Sequence, residues 1–163
     1  MLSEQEKKRI AEHAATLADR KAAVAEALMT VQESRGWVPD QAVEDVAREL
    51  EMSAEEVEGI ATFFELVFRR PVGEHVILVC DSVSCWTMGS QQILDHLTKT
   101  LGIRPGETTK DGRFTLLPAG CLGVCERAPA MMIDREVFGN LTPEKVDSII
   151  AVYTRGKDAH AAH

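Results

Sequence analysis

The chain has 163 residues, of which 45% are apolar and 27% are charged, a composition typical of a soluble globular protein with a buried core. A formal net charge of −8 and the lack of a basic stripe argue against nucleic-acid binding. The apolar runs are too short to span a bilayer, and the amino-terminal segment lacks the apolar region of a secretory signal. We therefore expect a cytosolic protein, or one held at a membrane through a partner, with reduced cysteines.

The first half of the sequence predicts helices. Ser3 with Glu6 and Ser53 with Glu56 have the spacing of capping boxes, in which the serine and glutamate side chains satisfy free N–H groups at a helix start. Apolar residues recur at helical spacing in four stripes: one follows each capping box, and two lie between the capping boxes. The stripes are Ile10-Ala14-Leu17, Ala23-Val24-Ala27-Leu28-Val31, Val43-Val46-Ala47-Leu50 and Val57-Ile60-Ala61-Phe64. We predict a helical bundle over residues 1–70.

The second half predicts an α/β domain over residues 71–156, followed by a flexible tail at 157–163. Short β-branched apolar runs are typical of buried strands, and a cap residue followed by proline is typical of a helix start. The predicted order is a strand at His75–Cys80, a helix from Ser90 to Gly102, strands at Phe114–Ala119, Met131–Asp134 and Glu136–Phe138, and a helix from Thr142. We expect His75 to lie at the surface or at a strand edge.

All four cysteines lie in this second half. Cys80 and Cys85 form a C-x4-C element, and Cys121 and Cys125 form a C-x3-C element. Each pair follows a predicted strand, so we expect both pairs in loops where their side chains converge. Gly123, inside the second element, is expected where a Cβ would crowd a bound metal.

Several alternative explanations of the four cysteines have to be compared. Structural zinc sites favour C-x2-C knuckles, and thioredoxin-type thiol exchange uses C-x-x-C, neither of which is present. A disulfide framework and four unrelated buried cysteines are also compatible with the count. An iron–sulfur cluster is the favoured interpretation, but the spacing does not decide between [2Fe–2S] and [4Fe–4S].

The cysteine pattern and its flanking residues resemble a known family. Cys80-x4-Cys85 together with Cys121-Leu-Gly-Val-Cys125-Glu-Arg-Ala-Pro129 is similar to the thioredoxin-like [2Fe–2S] ferredoxins, and among them to the NuoE-type subunit of respiratory complex I. Supporting segments over roughly residues 20 to 154 are Gly36–Pro39, Gly59–Phe64, Gly102–Gly106, Asp111–Thr115 and Leu141–Glu144. The loop Asp81–Ser84 departs from the version in many members and resembles the proteobacterial branch.

The resemblance implies a fold, a cofactor and a partner. It implies an amino-terminal helical bundle followed by a thioredoxin-like domain, α+β or α/β in class, with Cys80, Cys85, Cys121 and Cys125 as ligands of one [2Fe–2S] cluster. The chain would transfer electrons within NADH:quinone oxidoreductase, at the cytoplasmic face of the inner membrane. FMN and NADH would be bound by a partner subunit, since this chain lacks a Gly-rich dinucleotide fingerprint.

Two further functions stay open on sequence grounds. The equivalent subunit of a soluble NAD-linked hydrogenase or formate dehydrogenase shares the cysteine pattern. A structural zinc-binding interaction module is a candidate from a different class of protein.

Overall fold

The computed structural model describes residues 1–155, and contacts within it define two compact units that begin at Met1 and Gly73. The predicted fold class, a helical region followed by a mixed helix–sheet region, is confirmed. The exact domain boundaries at 70 and 156 stay predictions, and the proposed tail at 157–163 lies outside the described residues. Within residues 1–155, no helix is both long and apolar enough to cross a membrane.

The first unit is built from α-helices whose apolar faces pack together. These helices are α1 (Glu4–Ala14), α2 (Val24–Arg35), α3 (Asp40–Glu49) and α4 (Ala54–Phe63). Their core contains most of the predicted stripes, including the fully buried Leu28, Val31, Val46 and Val57. Phe64 is an exception, because α4 ends at the preceding residue and leaves the Phe64 side chain 45% exposed.

Both predicted capping boxes are present. The Ser3 hydroxyl accepts a hydrogen bond from the Glu6 N–H at 3.2 Å, and the Glu6 carboxylate accepts one from the Ser3 N–H at 2.7 Å. Ser53 and Glu56 make the same reciprocal pair at 3.1 and 2.9 Å. These bonds fix where α1 and α4 begin, because they satisfy N–H groups that have no partner within the helix.

Glu6 also links α1 to the end of α2. Its carboxylate accepts hydrogen bonds from the Arg35 guanidinium at 3.1 and 2.9 Å and from the Ser34 hydroxyl at 2.6 Å. Burial alone would raise the pKa of Glu6, but the bonds from Arg35, Ser34 and Ser3 outweigh it and lower the pKa from 4.5 to about 2. The ionised carboxylate is therefore strongly stabilised by folding.

We expect Glu6→Gln to lower the free energy of unfolding at pH 7 by about 2 kcal/mol, since the folded-state pKa lies below the unfolded one. The contribution is fully present above pH 4.5 and disappears as the pH falls towards 2, so the difference from the unsubstituted chain should shrink over that range. Urea unfolding at pH 7, 4 and 3 measures it. Glu12→Gln is the control, because Glu12 is exposed and lies 3.8 Å from Lys8. An equal effect of both substitutions, or one independent of pH, would contradict this interpretation.

The second unit contains a four-stranded mixed sheet with helices. In chain order the elements are β1 (His75–Cys80), α5 (Val83–Thr87), α6 (Ser90–Leu101), β2 (Phe114–Ala119), β3 (Met131–Ile133), β4 (Glu136–Phe138) and α7 (Pro143–Arg155). The spatial order is β2-β1-β3-β4, with β1 parallel to β2 and the remaining pairs antiparallel. Ile77, Leu97, Leu116 and Val146 are fully buried in its core. The predicted βαβ…ββα order is confirmed, apart from α5, which was not predicted.

His75 is buried, so the prediction of a surface or strand-edge position is wrong. Its ring is 4% exposed, its Nδ1 lies 2.9 Å from the Asp134 carboxylate, and β1 is a central strand. The His75 ring packs edge-on against Tyr153, with centroids 5.0 Å apart. Asp134 also accepts a hydrogen bond from the Val76 N–H at 3.1 Å, so one carboxylate provides partners for both groups.

Candidate metal centre

The two cysteine pairs begin at the same edge of the sheet. Cys80, the last residue of β1, lies opposite Ala119, the last residue of β2. The Asp81 N–H donates to the Ala119 carbonyl at 3.0 Å, and Cys121 follows two residues after β2 ends. Because β1 and β2 are parallel, their carboxyl ends deliver both cysteine segments to one place.

The first cysteine segment is partly helical, so the prediction of a simple loop is wrong for Cys85. Cys85 lies in the middle of α5, which begins after Ser82, and the Trp86 N–H donates to the Ser82 carbonyl at 2.8 Å. This short helix turns the chain back, so that Cys85 packs beside Cys80 in a small apolar cluster with Ala128 and Ala130. Both thiols are only 2% exposed.

The second cysteine segment is at the surface. Cys121 and Cys125 are both exposed, and Cys125 begins a short 3-10 helix that ends at Arg127. Gly123 has a φ of +77°, a conformation that glycine adopts without steric cost, and an added Cβ would meet no atom of residues 1–155 within 4 Å. The structure thus gives a backbone reason for this glycine. The Gly123 N–H donates to the Cys121 sulfur at 3.4 Å.

The four sulfur atoms are arranged as two pairs. The Cys121 and Cys125 sulfur atoms are 3.6 Å apart. Two thiolates on one tetrahedral metal, each about 2.3 Å from it, would be about 3.8 Å apart, so this spacing fits a shared iron. Cys80 and Cys85 form the other pair, and they pack together in the buried apolar cluster. Within residues 1–155, no group of three or more His, Cys, Asp or Glu side chains is placed to hold a single metal ion.

The environments of the cysteines differ in a way that shifts their thiol pKa values. Burial, and then the hydrogen bond with Cys80, raise the pKa of Cys85 to about 11. The Gly123 N–H, and then Cys125, lower the pKa of the Cys121 thiol, while the hydrogen bond with Cys121 raises the pKa of Cys125. A bound metal would hold all four as thiolates, so loading the site should release protons.

Backbone and hydroxyl groups near the cysteines favour their ionised forms. The Ala130 backbone acts to lower the pKa of the Cys85 thiol, and the Ser82 and Ser84 side chains act to lower the pKa values of the Cys121 and Cys125 thiols. The departure of the Asp81–Ser84 loop from the family pattern had indicated altered hydrogen bonds at the site and a shift of the cluster potential, which stays a prediction. Donors of this kind stabilise the negative charge of a thiolate-ligated cluster and influence its reduction potential.

The donor set fits the group that the sequence suggested. Four thiols in two pairs match the ligand count of a [2Fe–2S] cluster, and the Gly123 N–H donates to the Cys121 sulfur. A model of the family of thioredoxin-like [2Fe–2S] ferredoxins matches residues 8–154. The chain belongs to that family. Membership agrees with the prediction of one [2Fe–2S] cluster and confirms the resemblance inferred from the motifs.

Curated relatives cover most of this ferredoxin-family chain. The E subunit of NADH-quinone oxidoreductase from Pseudomonas aeruginosa is 46% identical over 153 residues, which cover 94% of this chain and 92% of the relative. The protein of the same name from Escherichia coli is 52% identical over 135 residues, covering 83% of this chain and 81% of the relative.

A solved structure shares the fold over a similar length. A chain in the crystal structure of an NAD+-reducing [NiFe]-hydrogenase in the H2-reduced state matches with a TM-score of 0.69 and 22% sequence identity. The match covers 83% of this chain and 23% of the hydrogenase chain. At that identity the likeness shows a common fold.

Proposed function

We propose that this chain is the electron-carrying E subunit of an NADH:quinone oxidoreductase, a component of a heteromeric enzyme with no substrate site of its own. The observation that carries this proposal is identity of 46% to 52% with proteins of that name, over at least 81% of their length. The paired cysteines at the ends of β1 and β2 provide the matching chemistry.

We propose Cys80, Cys85, Cys121 and Cys125 as the cluster ligands. A [2Fe–2S] cluster, when bound, accepts and returns one electron. The chain's own contribution is to hold one pair of thiols away from water, to present the other pair at the surface, and to direct the Gly123 N–H towards the Cys121 sulfur. One buried side and one exposed side suit a centre that exchanges electrons with a partner.

Exposed apolar side chains beside the cysteines support the proposal that a flavin- and NADH-binding subunit docks there. Val83, Trp86 and Met88, in and just after α5, are 73%, 67% and 61% exposed. Large apolar side chains exposed together are typical of protein interfaces, with tryptophan among the residues most enriched there. Trp86 lies in α5, one residue after Cys85. Attachment to the cytoplasmic face of the membrane would follow from assembly alone.

The test is purification of the tagged chain from its native host. We expect co-purification of a flavin-containing subunit that oxidises NADH together with membrane-embedded subunits. Trp86→Asp should reduce recovery of the flavin subunit at least about tenfold, as substitution at an interface hot spot does. Val152→Asp is the matched control, because Val152 is an exposed apolar residue on α7. Recovery of a hydrogenase or formate dehydrogenase large subunit in place of membrane subunits would overturn the proposal.

A further inference from the structure

The two cysteine pairs differ in their access to solvent. Cys80 and Cys85 are each 2% exposed, whereas Cys121 and Cys125 both lie at the surface. A soluble oxidant of the cluster-free chain therefore meets Cys121 and Cys125 first, since thiol reactivity depends on access as well as on ionisation.

The exposed pair is nearly in bonding position. The two sulfur atoms are 3.6 Å apart, which is close to van der Waals contact, and a disulfide requires about 2.05 Å. The approach needed is therefore about 1.5 Å, a distance that side-chain rotation and small loop movements cover. Only three residues separate the two cysteines, and one of them is Gly123 in its left-handed conformation.

We propose that, in the cluster-free chain, Cys121 and Cys125 close into an intramolecular disulfide on meeting a low-molecular-weight disulfide such as oxidised glutathione. The Cys121 thiolate attacks one sulfur of oxidised glutathione, forming a mixed disulfide and releasing one glutathione thiolate. The Cys125 thiolate then attacks the Cys121 sulfur and releases the second glutathione. Two protein thiols are oxidised, one oxidised glutathione is reduced to two glutathione molecules, and two protons leave the protein.

The disulfide would act as a reversible block on metal loading. While it is closed, only Cys80 and Cys85 remain as thiols, which is half of the proposed ligand set. A dithiol reductant would reopen the site. This consequence depends on the proposed ligand role of the cysteines, but formation of the disulfide does not.

The experiment uses the full-length, cluster-free chain treated with oxidised glutathione, then denatured in iodoacetamide and mapped by peptide mass spectrometry. We expect the Cys121–Cys125 cross-link to exceed every other pairing by at least about tenfold, with Cys80 and Cys85 recovered as alkylated thiols. Glutathione retained on Cys121 or Cys125, or a disulfide involving Cys80 or Cys85, would overturn the proposal. An unfolded cluster-free chain would react at all four cysteines and give that second result.

Two variants sharpen the result. Cys125→Ser should leave a stable glutathione adduct on Cys121, whereas Cys85→Ser should still form the cross-link. Iron and sulfide uptake then separates the two proposals. If the reduced chain takes up both and the cross-linked chain takes up neither until a dithiol is added, both stand. If the reduced chain takes up neither, the ligand role fails while the peptide map still tests the disulfide.

Discussion

Replacement of Cys85 by alanine is expected to remove the cluster. Cys85 is buried in α5 beside Cys80, and alanine offers no donor atom, so one iron would keep a single protein thiolate. Iron and acid-labile sulfide per chain should fall below about a tenth of the value for the unsubstituted protein, because a cluster that lacks one of its four protein ligands is readily lost. Chemical analysis of both elements, together with visible absorption, measures the effect.

Thr87→Ser is the control for that substitution. Thr87 lies in the same short helix, and its side chain is exposed. Serine keeps the hydroxyl group that donates to the Val83 carbonyl. It should retain the iron and sulfide content of the unsubstituted protein. A Cys85→Ala protein that is as fully loaded as this control would exclude Cys85 as a ligand.

Gly139→Ala is expected to displace Cys125, although Gly139 is not itself one of the cysteine-site residues. A Cβ on Gly139 would lie 2.5 Å from the Cβ of Arg127 and 2.7 Å from its carbonyl oxygen, and this contact is at the end of the short helix that begins at Cys125. The next two residues donate N–H groups to the carbonyls of Arg127 and Pro129, so the segments cannot easily separate. We expect the free energy of unfolding to fall by about 1 to 3 kcal/mol, and the iron content to fall with it as Cys125 is displaced.

Gly59→Ala provides the matched comparison. Gly59 lies within α4, and an added Cβ there meets no atom within 4 Å in the part of the chain that the structure describes, apart from the neighbouring backbone of its own helix. Alanine in a helix interior should raise the free energy of unfolding by about 0.5 to 1 kcal/mol. Denaturant unfolding and iron analysis of the two variants make the comparison. Equal stability and equal iron content in both would show that Gly139 does not support the site.

The elements of the fold could be predicted wherever the signal lay among neighbouring residues. The capping serines Ser3 and Ser53 marked two helix starts, and the β-branched run ending at Cys80 predicted β1. Helix α5 was missed because five residues are too few to show an apolar periodicity. The burial of His75 was missed because its partner, Asp134, is 59 residues away along the chain.

The site was predicted less completely than the fold. Two predicted strands, each followed by a cysteine pair, indicated that the four thiols converge; the structure shows that the two strands are parallel and places the thiols as two pairs. The contrast between a buried and an exposed pair was beyond sequence reasoning, because it depends on how α5 packs Cys85 against Ala128 and Ala130. The role of all four cysteines as ligands stays a prediction.

The most direct test is the metal content and magnetic resonance of the purified chain. We predict a red-brown protein with about two irons and two acid-labile sulfides per chain, and a two-iron electron paramagnetic resonance signal after one-electron reduction. A colourless protein containing zinc, with no iron and no acid-labile sulfide, would contradict the assignment of a [2Fe–2S] cluster.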